Sequence, residues 1–415
     1  MGKVSALTGL LLAMLSLNAS AQTIWTPYVS NPVVPPNFDP SATSIYGPNV
    51  IKDGSTYRLW YTRKCTPDSE KIGYATSSDG IAWTLVDSAA LRPAGGSTLF
   101  DCDKLGQPCV IKINDTLRMW YWGSGPHIGN IGHAWSTDGQ HWTKVRGPGT
   151  DSSVYDRTQD GGTSLALVTP CVIKDGDTLR MWYGRGYYST QLYCRLGYAV
   201  STNGINWTHV SGSGSNGCVL DAGASGQFDE FSVYYPTVVK DGSVYRMWYD
   251  GINNIGVECI GYATSNDGIN WTRHDGTGAN GSTIYNAGTS CVVLDGSTFK
   301  MWYSDGSGFS YATAPVNGVA GKPVSDELKP GRPALRISGM TLDYTLPHSG
   351  NMRLSLYNTA GQMIRTLSQG YRGAGQYRAN WDGRNQDGRK AASGVYMARL
   401  TSDGGPVFGK LVIVR

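Results

Sequence analysis

Two adjacent carboxylates, Asp229 and Glu230, stand just ahead of the apolar run VYYPTVV. Two carboxyl groups held in different environments can act as general acid and general base. The chain contains only four glutamates. Glu70 and Glu258 occupy the same position of a repeat described below, and Glu327 falls in a linker, which leaves Glu230 as the first candidate for a general acid.

The carboxylates belong to a sequence that repeats every 40 to 65 residues, roughly. Each copy has an apolar strand A (PCVIK), an Asp-Gly turn, a strand B (YRMWY), a strand C (IGYATS), and a turn SxDGxxW that leads into strand D. Four short antiparallel strands in each of five copies predict an all-β fold, a five-bladed β-propeller. The copies begin at Gly47, Gln107, Thr169, Tyr235 and, in shortened form, Thr289.

This topology places the B–C loops and the D–A connections on one face of the propeller. The repetitive A–B and C–D turns lie on the other face and are scaffold, so a binding site is expected on the variable face. Two pairs of cysteines flank neighbouring loops of that face. The sequence therefore predicts the disulfides Cys65–Cys102 and Cys194–Cys218, and the even count of eight cysteines fits an oxidising compartment.

The other cysteines are not expected to bind a metal. Cys109, Cys171 and Cys291 share one strand-A position and are predicted to be buried thiols that point from different blades. Cys259 is not expected to complete a metal site with them, because those three cysteines point from different blades.

The histidines give no metal site either. His127 lies in a B–C loop, His133 in strand C, and His141 beyond the turn on the opposite face. No metal or cofactor is expected, and His127 alone is placed to contact a substrate.

The two ends of the chain indicate export. Residues 1–21 combine one Lys, an apolar run and the sequence Ala19-Ser20-Ala21, which is typical of a signal peptide, with an uncleaved anchor as the alternative. No other segment is long enough to span a membrane. The net charge of +4 without clustered Lys and Arg argues against nucleic acid as a partner. A secreted or cell-surface protein, monomeric in solution, is expected.

After the predicted propeller, residues 22–315, and a linker, residues 316–332, the pattern changes. Residues 333–415 alternate strands and turns and predict a small Ig-like β-sandwich. The segments YTLP, MRLSLYNTAGQMIRTL, WDGRNQDG and SGVYMARL resemble FlgD-like immunoglobulin-fold domains of exported bacterial proteins, and type IX secretion sorting domains. The resemblance implies a secretion or cell-surface partner and no catalysis. Arg384 and Gln386 occupy cation-ligand positions between Asp382 and Asp387, so that loop is expected to be a hairpin.

The blade motifs PxVIKDGxYRMWYxG and IGYAxSxDGIxW resemble the five-bladed glycoside hydrolases of the arabinanase, levansucrase and invertase type, and their secreted family 43/32-like relatives. That resemblance implies catalytic carboxylates in a central funnel, from the strand-A entries of blades 1, 3 and 4. On these positions Asp39 would be base or nucleophile, Glu230 general acid, and Asp156 or Asp160 the orienting acid.

The repeat also offers a structural reading of these acids. FDEFSVYYP aligns with FDCDKLGQP, so Asp229 matches Asp101, and a recurring aspartate is typical of a turn or cap. Glu230 meets Cys102 in the same alignment. It is the residue that the repeat does not predict.

Variable residues just after strand B reach the same face and are candidates for substrate binding. Trp122 and Tyr187, with Tyr188, could stack on sugar rings, and charged side chains could bind sugar hydroxyls. Asp250 is a rival acid if Glu230 points away. These charged candidates are Arg63, Arg185, Asp250 and Asp305.

Together these patterns predict an exported hydrolase of glycosidic bonds with a carbohydrate substrate. The alternative is a non-catalytic propeller that binds glycan or protein, since the blade motifs define a fold more strongly than an activity.

Overall fold

The computed structural model consists of two compact units, Met1–Ala320 and Gly321–Arg415. The described residues are almost entirely β-strand. They include no α-helix, and their helical segments are two short 3₁₀ turns, Ser215–Gly217 and Ala279–Gly281. The structure describes residues 25–65, 69–126, 129–188, 192–276, 279–316, 334–338, 340–346, 348–358, 362–373, 375–402 and 407–413.

The strands of the first unit follow the predicted order A, B, C, D, because Asp-Gly turns alternate with apolar runs. They are β1 (Thr26–Pro27), β2 (Ser44–Asp53), β3 (Thr56–Cys65), β4 (Ser69–Ser77), β5 (Thr84–Leu91), β6 (Lys104–Ile113), β7 (Thr116–Ser124), β8 (Asn130–Ser136), β9 (Thr143–Val145), β10 (Ala166–Asp175), β11 (Thr178–Tyr188), β12 (Leu192–Ser201), β13 (Thr208–His209), β14 (Ser232–Asp241), β15 (Val244–Ile252), β16 (Glu258–Ser265), β17 (Thr272–His274), β18 (Ile284–Tyr285), β19 (Gly288–Asp295), β20 (Thr298–Ser304) and β21 (Phe309–Pro315).

These strands form five antiparallel sheets in the described part of this unit. Sheet 1 is β2–β5, sheet 2 is β6–β9, sheet 3 is β10–β13, and sheet 4 is β14–β17 with β18 beside β16. Sheet 5 contains β19, β20 and β21, and the N-terminal strand β1 adds its outer edge through the pairing of Thr26 with Thr313. The two ends of the unit therefore meet in one sheet.

A cyclic set of hydrogen bonds joins the innermost strands, and we call it the inner ring. In each sheet one strand-A side chain accepts the backbone N–H of a valine in the next sheet. The five bonds are Val110 N to Asn49 Oδ1 (2.9 Å), Val172 N to Cys109 Sγ (3.1 Å), Val238 N to Cys171 Sγ (3.2 Å), Val292 N to Thr237 Oγ1 (3.3 Å) and Val50 N to Cys291 Sγ (3.1 Å). The last bond returns to sheet 1, so the five sheets close a ring.

A second set of contacts joins the sheets farther from the axis. The strand-B tryptophan of one sheet donates its indole N–H to the glycine carbonyl of the SxDGxxW turn in the next sheet. These bonds are Trp60 to Gly139 (2.8 Å), Trp120 to Gly204 (2.9 Å), Trp182 to Gly268 (2.7 Å) and Trp302 to Gly80 (2.8 Å). The SxDGxxW turn thus locks adjacent sheets together.

Trp248 is the exception, because the next sheet takes its outer strand from the N-terminus and has no such turn. Its ring packs edge-on against Trp25 with centroids 5.7 Å apart. An aromatic contact there replaces the hydrogen bond.

The second unit contains two sheets, β22–β23–β26 and β25–β24–β27–β28. Leu342 and Tyr344 of one sheet and Leu354 and Leu400 of the other belong to one buried core. The strands are β22 (Ala334–Ser338), β23 (Thr341–Leu346), β24 (Gly350–Asn358), β25 (Met363–Arg372), β26 (Gly375–Asn380), β27 (Gly394–Thr401) and β28 (Val407–Ile413).

The structure confirms the predicted all-β class. The predicted disulfides Cys65–Cys102 and Cys194–Cys218 are wrong, because all eight cysteines are free thiols. The Cys218 thiol instead lies 3.4 Å from the Arg185 guanidinium.

Residues 1–21 and 317–332, predicted as signal peptide and most of a linker, lie outside the described residues. Within the described part, no helix is long and apolar enough to cross a membrane.

His133 is a buried irregularity in sheet 2 that makes stability depend on pH. It stacks on Trp120 at 4.9 Å, and neither ring nitrogen bonds a described residue. Burial and the Arg118 charge lower its pKa to about 4. The unfolded histidine takes up a proton near pH 6.5, so the folded state loses stability as pH falls from about 6.5 to about 4.

We predict that His133→Tyr removes this loss. The other four sheets carry tyrosines at this position, and the Tyr262 hydroxyl accepts a bond from Arg246 at 2.7 Å. Urea unfolding at pH 7.5 and pH 5.0 should show a gap between variant and wild type that widens by roughly 2 kcal/mol at the lower pH. A gap that is equal at both pH values would contradict this account.

Candidate functional site

The central channel begins where each strand A enters its sheet through a β-bulge. The register between strands A and B breaks there in all five sheets, for example between Tyr234 and Thr237. Bulges of this kind aim side chains and gather beside functional sites. At each bulge one residue, which we call the bulge residue, takes a left-handed backbone; these are Gly47, Gln107, Thr169, Tyr235 and Thr289, with φ of 59°, 52°, 51°, 44° and 47°.

The five bulge residues and the inner-ring side chains line an axial cavity of about 40 Å³. Tyr235 is the one bulky bulge residue, and a bulky side chain at positive φ is strained. Its ring reaches toward sheet 1, since a Cβ built on Gly47 would lie 3.6 Å from the ring. Its hydroxyl hydrogen-bonds the Gln107 side chain. The Tyr235 side chain therefore reaches from sheet 4 to sheets 1 and 2 beside the cavity.

Asp250 lies beside this tyrosine, on strand B of sheet 4. It is fully buried and pairs in register with Tyr234. Its Oδ2 accepts the backbone N–H of the bulge residue Thr289 at 2.6 Å, and its Oδ1 has no conventional donor among the described residues. A buried carboxylate with an unsatisfied oxygen is costly, so protonation is favoured.

The neighbouring Glu258 accounts for the second oxygen of Asp250, Oδ1, which has no donor. Burial, first, and then the charge of Glu258 raise the pKa of Asp250 well above its usual range, and a hydrogen bond to Glu258 favours the protonated form. The raised pKa favours the carboxylic acid form of Asp250, which has a proton to donate to Glu258. The Tyr234 hydroxyl also donates to Glu258. We call Asp250 and Glu258 the acid pair.

A second glutamate, Glu70, lies on sheet 1 beside Tyr46. The Tyr46 hydroxyl hydrogen-bonds Glu70, and burial and Glu70 together raise the pKa of Tyr46 above its usual range. Burial raises the pKa of the Tyr235 hydroxyl well above its usual range, and the neighbouring Tyr46 and Asp250 add to this shift. Tyr46, which bonds Glu70, and Asp250 therefore lie near Tyr235 from sheets 1 and 4. The channel mouth gathers an acid with a raised pKa and further carboxyl groups, the kind of set that acid–base catalysis needs.

Two of the predicted catalytic acids, Asp39 and Asp160, take part in a repeated arrangement with a tyrosine and an arginine. Asp39 accepts the Tyr61 hydroxyl at 3.2 Å and pairs with Arg63 at 2.8 Å. Asp160 accepts the Tyr183 hydroxyl and pairs with Arg185 at 2.9 Å. Asp101 and Asp229 repeat the pattern with a strand-B tyrosine and a lysine or arginine. Each aspartate ties a connection to its own sheet.

The other two predicted acids cap loops. Asp156 Oδ1 accepts the backbone N–H of Thr158 at 2.9 Å, and its Oδ2 gives no contact with another acid. Glu230 accepts the N–H of Gly226 at 2.7 Å and of Asn254 at 3.2 Å. These backbone donors lower the pKa of Glu230, the opposite of what a general acid needs. No described hydrogen bond or ion pair between side chains brings the four predicted acids together.

The predicted substrate-binding residues divide in the same way. Arg63 and Arg185 are buried in the ion pairs described above, and the Tyr187 hydroxyl lies against the Cys218 thiol. Trp122 shares the register position of Asp250 in its own sheet and is half-buried, so it is placed at the channel.

The other candidates lie outside this channel or outside the described residues. Asp305 bonds Ser307 and Ser310 within its own loop. His127 and the side chain of Tyr188 lie outside the described residues. Within those residues no cluster of three His, Cys, Asp or Glu could hold a metal.

Sequence reasoning found Asp250 as a rival acid but missed Glu258, because Glu258 aligns with Glu70. The sequence nevertheless contains a feature that could have pointed to Glu258. Each of these glutamates occurs in a sheet with a tyrosine directly before the bulge residue, Tyr46 or Tyr234, and the other three sheets have neither. Only Glu258 faces an aspartate across the strands.

Comparison with known proteins supports the fold of both units. The family model of the FlgD Ig-like domain matches residues 338–405, which confirms the resemblance of the second unit. Two uncharacterized proteins of Mycobacterium tuberculosis, from strains CDC 1551 / Oshkosh and ATCC 25618 / H37Rv, are 29% and 26% identical to this chain over 230 and 239 residues. The matches cover 52% and 53% of this chain and 68% and 72% of those proteins.

Solved structures with the same propeller-like fold are carbohydrate-active proteins. One is of the GH130 family of mannoside phosphorylases, which contains glycoside hydrolases that target β-1,2 mannosidic linkages in Candida mannan (TM-score 0.56, 15% identity, 72% of this chain and 95% of that one). Another is the β-1,2-mannobiose phosphorylase of Listeria innocua (0.54, 12%, 70% and 97%), and a third is a glycosyl hydrolase of Bacteroides ovatus (0.54, 15%, 69% and 92%). At these identities the likeness is one of fold.

The raised pKa of Asp250 predicts a stability signature. The unfolded aspartate titrates near pH 4, whereas the folded one keeps its proton to higher pH, so its contribution to stability is full below about pH 4 and declines as pH rises. Asp250→Asn keeps an acceptor for Thr289 and gains a donor for Glu258. Urea unfolding should show the variant gaining on wild type from pH 4 to pH 8. A constant difference would contradict a protonated Asp250.

Asp160→Asn tests whether that acid is structural. The change leaves the buried Arg185 charge without its ion partner, and breaking such a pair costs about 3–5 kcal/mol. Urea unfolding should therefore show a loss of that order. Wild-type stability combined with lost activity would instead support the catalytic role predicted from the sequence.

Proposed function

We propose that the first unit is a five-bladed β-propeller that cleaves glycosidic bonds, and that the acid pair Asp250–Glu258 supplies the proton to the leaving group. The observation that carries the proposal is the placement of Asp250, fully buried and bonded by the Thr289 N–H at 2.6 Å, across strands β15 and β16 from Glu258, where burial and Glu258 raise the pKa of Asp250. Cleavage of a glycosidic bond needs a carboxylic acid that keeps its proton at working pH, beside a second carboxylate.

In this proposal the two members of the acid pair divide the work. Asp250 is fully buried and stores the proton, whereas Glu258 is only partly buried and faces the channel mouth. In the proposed step the Asp250 proton passes to Glu258 and from Glu258 to the glycosidic oxygen as the glycosidic bond breaks, which leaves both carboxyl groups ionised until water restores the proton. The Tyr234 hydroxyl orients the Glu258 carboxyl through its hydrogen bond.

Glu70 is the proposed second carboxylate, acting on the anomeric carbon or on an attacking water. It bonds the Tyr46 hydroxyl on sheet 1, and Tyr46 lies near Tyr235. Trp122, which is half-buried, would offer the apolar face of its ring to the sugar. Export through residues 1–21, and a secretion or sorting role for the Ig-like unit, belong to the same proposal.

Glu258→Gln on two classes of substrate tests the acid role. On oligosaccharides with unactivated leaving groups we expect kcat/KM to fall about 10²–10⁴-fold, because the leaving oxygen needs a proton. On dinitrophenyl glycosides, whose leaving group needs no proton, the loss should be much smaller. The panel includes β-1,2-mannobiose and arabino-, xylo- and fructo-oligosaccharides, with and without inorganic phosphate to separate phosphorolysis from hydrolysis.

Glu230→Gln is the matched control, since it makes the same chemical change on a loop and should keep activity within about twofold. An equal loss on both substrate classes, or a loss in Glu230→Gln alone, would remove the acid pair from the reaction. A folded wild-type protein that binds sugars of the panel and turns over none would favour the non-catalytic alternative.

A further inference from the structure

A second feature lies on the side of the ring, between sheets 1 and 2. The outer strand β5 has eight residues, whereas its counterparts β9, β13 and β17 have three, two and three. Register breaks on either side of Tyr74 bend β5 relative to β4. A hollow of about 440 Å³, which we call the side groove, lies between β5 and residues 140–144 of sheet 2.

The side groove has the lining of a sugar site. One tryptophan borders it among planar polar side chains, a combination that holds sugar rings and their hydroxyls. Trp142 packs one edge on Trp60 with centroids 5.9 Å apart and donates its indole N–H to Gly139, so its ring is held rigidly. The lining side chains used here are Asp87, Arg92, Gln140, His141, Trp142 and Lys144.

The polar side chains of the groove retain bonding capacity. Arg92 is exposed and donates only its Nε, to the Ala89 carbonyl at 3.1 Å, so its two terminal amino groups have no bond to the described residues. Asp87 uses one oxygen to accept the Ala89 N–H at 2.8 Å. The Gln140 side chain makes no hydrogen bond to the described residues. A rigid arginine fork of this kind suits a carboxylate.

The lining contains three basic side chains, Arg92, His141 and Lys144, and one acid, Asp87. Lys144 is already paired with Asp101 at 2.5 Å, whereas Arg92 has no ion pair with a described residue and is available to an anion. His141 is held by Asp138 of its own turn at 2.7 Å. Asp138 and, from β5, Asp87 raise the pKa of His141. The histidine therefore carries more positive charge near neutral pH than a free one.

The groove is specific to this pair of sheets. The SxDGxxW turns of sheets 1, 3 and 4 carry Ala82, Asn206 and Asn270 where sheet 2 has His141. The Asn270 amide bonds Asp267 at 2.8 Å, as the His141 ring bonds Asp138. The histidine thus adds positive charge at a turn position where asparagine makes an equivalent hydrogen bond.

We propose that the side groove binds an acidic saccharide, with the sugar ring against Trp142 and its carboxylate between Arg92 and His141. This site is separate from the channel mouth and does not depend on the acid pair. It would hold a uronate-bearing glycan at the side of the propeller while the channel stays open.

Binding of a tetrameric oligouronate, measured by titration calorimetry with the full chain, tests this site. Wild type should bind the oligouronate and bind a neutral oligosaccharide of equal length at least about tenfold more weakly. Affinity should be higher at pH 6 than at pH 8, because protonated His141 attracts the carboxylate. Arg92→Gln should weaken binding about tenfold, and His141→Asn should abolish the pH difference while keeping the turn.

Arg157→Gln is the control for net charge, since Arg157 is an exposed arginine outside the groove. It should leave binding unchanged. Equal weakening by Arg157→Gln and Arg92→Gln, equal affinity for the neutral oligosaccharide, or no binding at about 10 mM would overturn the proposal. Glu258→Gln should bind as wild type does; loss of binding there would place the ligand at the channel mouth instead.

Discussion

The rest of the first unit depends on the inner ring, in which each sheet satisfies one buried N–H of the next. A buried N–H without a partner costs about 1–3 kcal/mol, so every sheet must offer an acceptor at that position. Asparagine, threonine and three cysteine thiols all meet this demand with one geometry. The sulfur atoms that the sequence suggested would point from different blades therefore converge on one axis as hydrogen-bond acceptors.

The backbone N–H groups of the bulge residues also need acceptors, and this need explains why an acid lies at the channel. The Gln107 and Thr169 side chains each accept the N–H of the next bulge residue. Gly47 has no side chain and the Tyr235 ring crosses the channel, so strand B supplies the acceptors Thr62 and Asp250. A structural need that a hydroxyl meets in sheet 1 is met by a carboxylic acid in sheet 4. Burial and the neighbouring Glu258 raise the pKa of that acid, which favours its protonated form.

The strands were predictable because Asp-Gly turns and alternating strand-B residues recur in each copy, and the FlgD-like region was recognisable from its own motifs. The bulges were not, since Gln, Thr and Tyr seldom adopt a left-handed backbone. Glu230 broke the repeat, yet its carboxylate caps the Gly226 backbone N–H. Glu258 obeyed the repeat and still faces a partner that no other sheet has. The residue that departs from the repeat, Glu230, lies in a loop, whereas the acid pair forms between residues on two neighbouring strands.

The proposed role of the acid pair requires that Asp250 carries a proton at neutral pH. Infrared difference spectroscopy of wild type and Asp250→Asn at pH 7 reads it directly, because a protonated carboxyl and an ionised carboxylate absorb at separate frequencies. The account predicts a protonated carboxyl band in wild type that shifts in D₂O and is missing from Asp250→Asn. A wild-type spectrum with every carboxyl group ionised at pH 7 would contradict it.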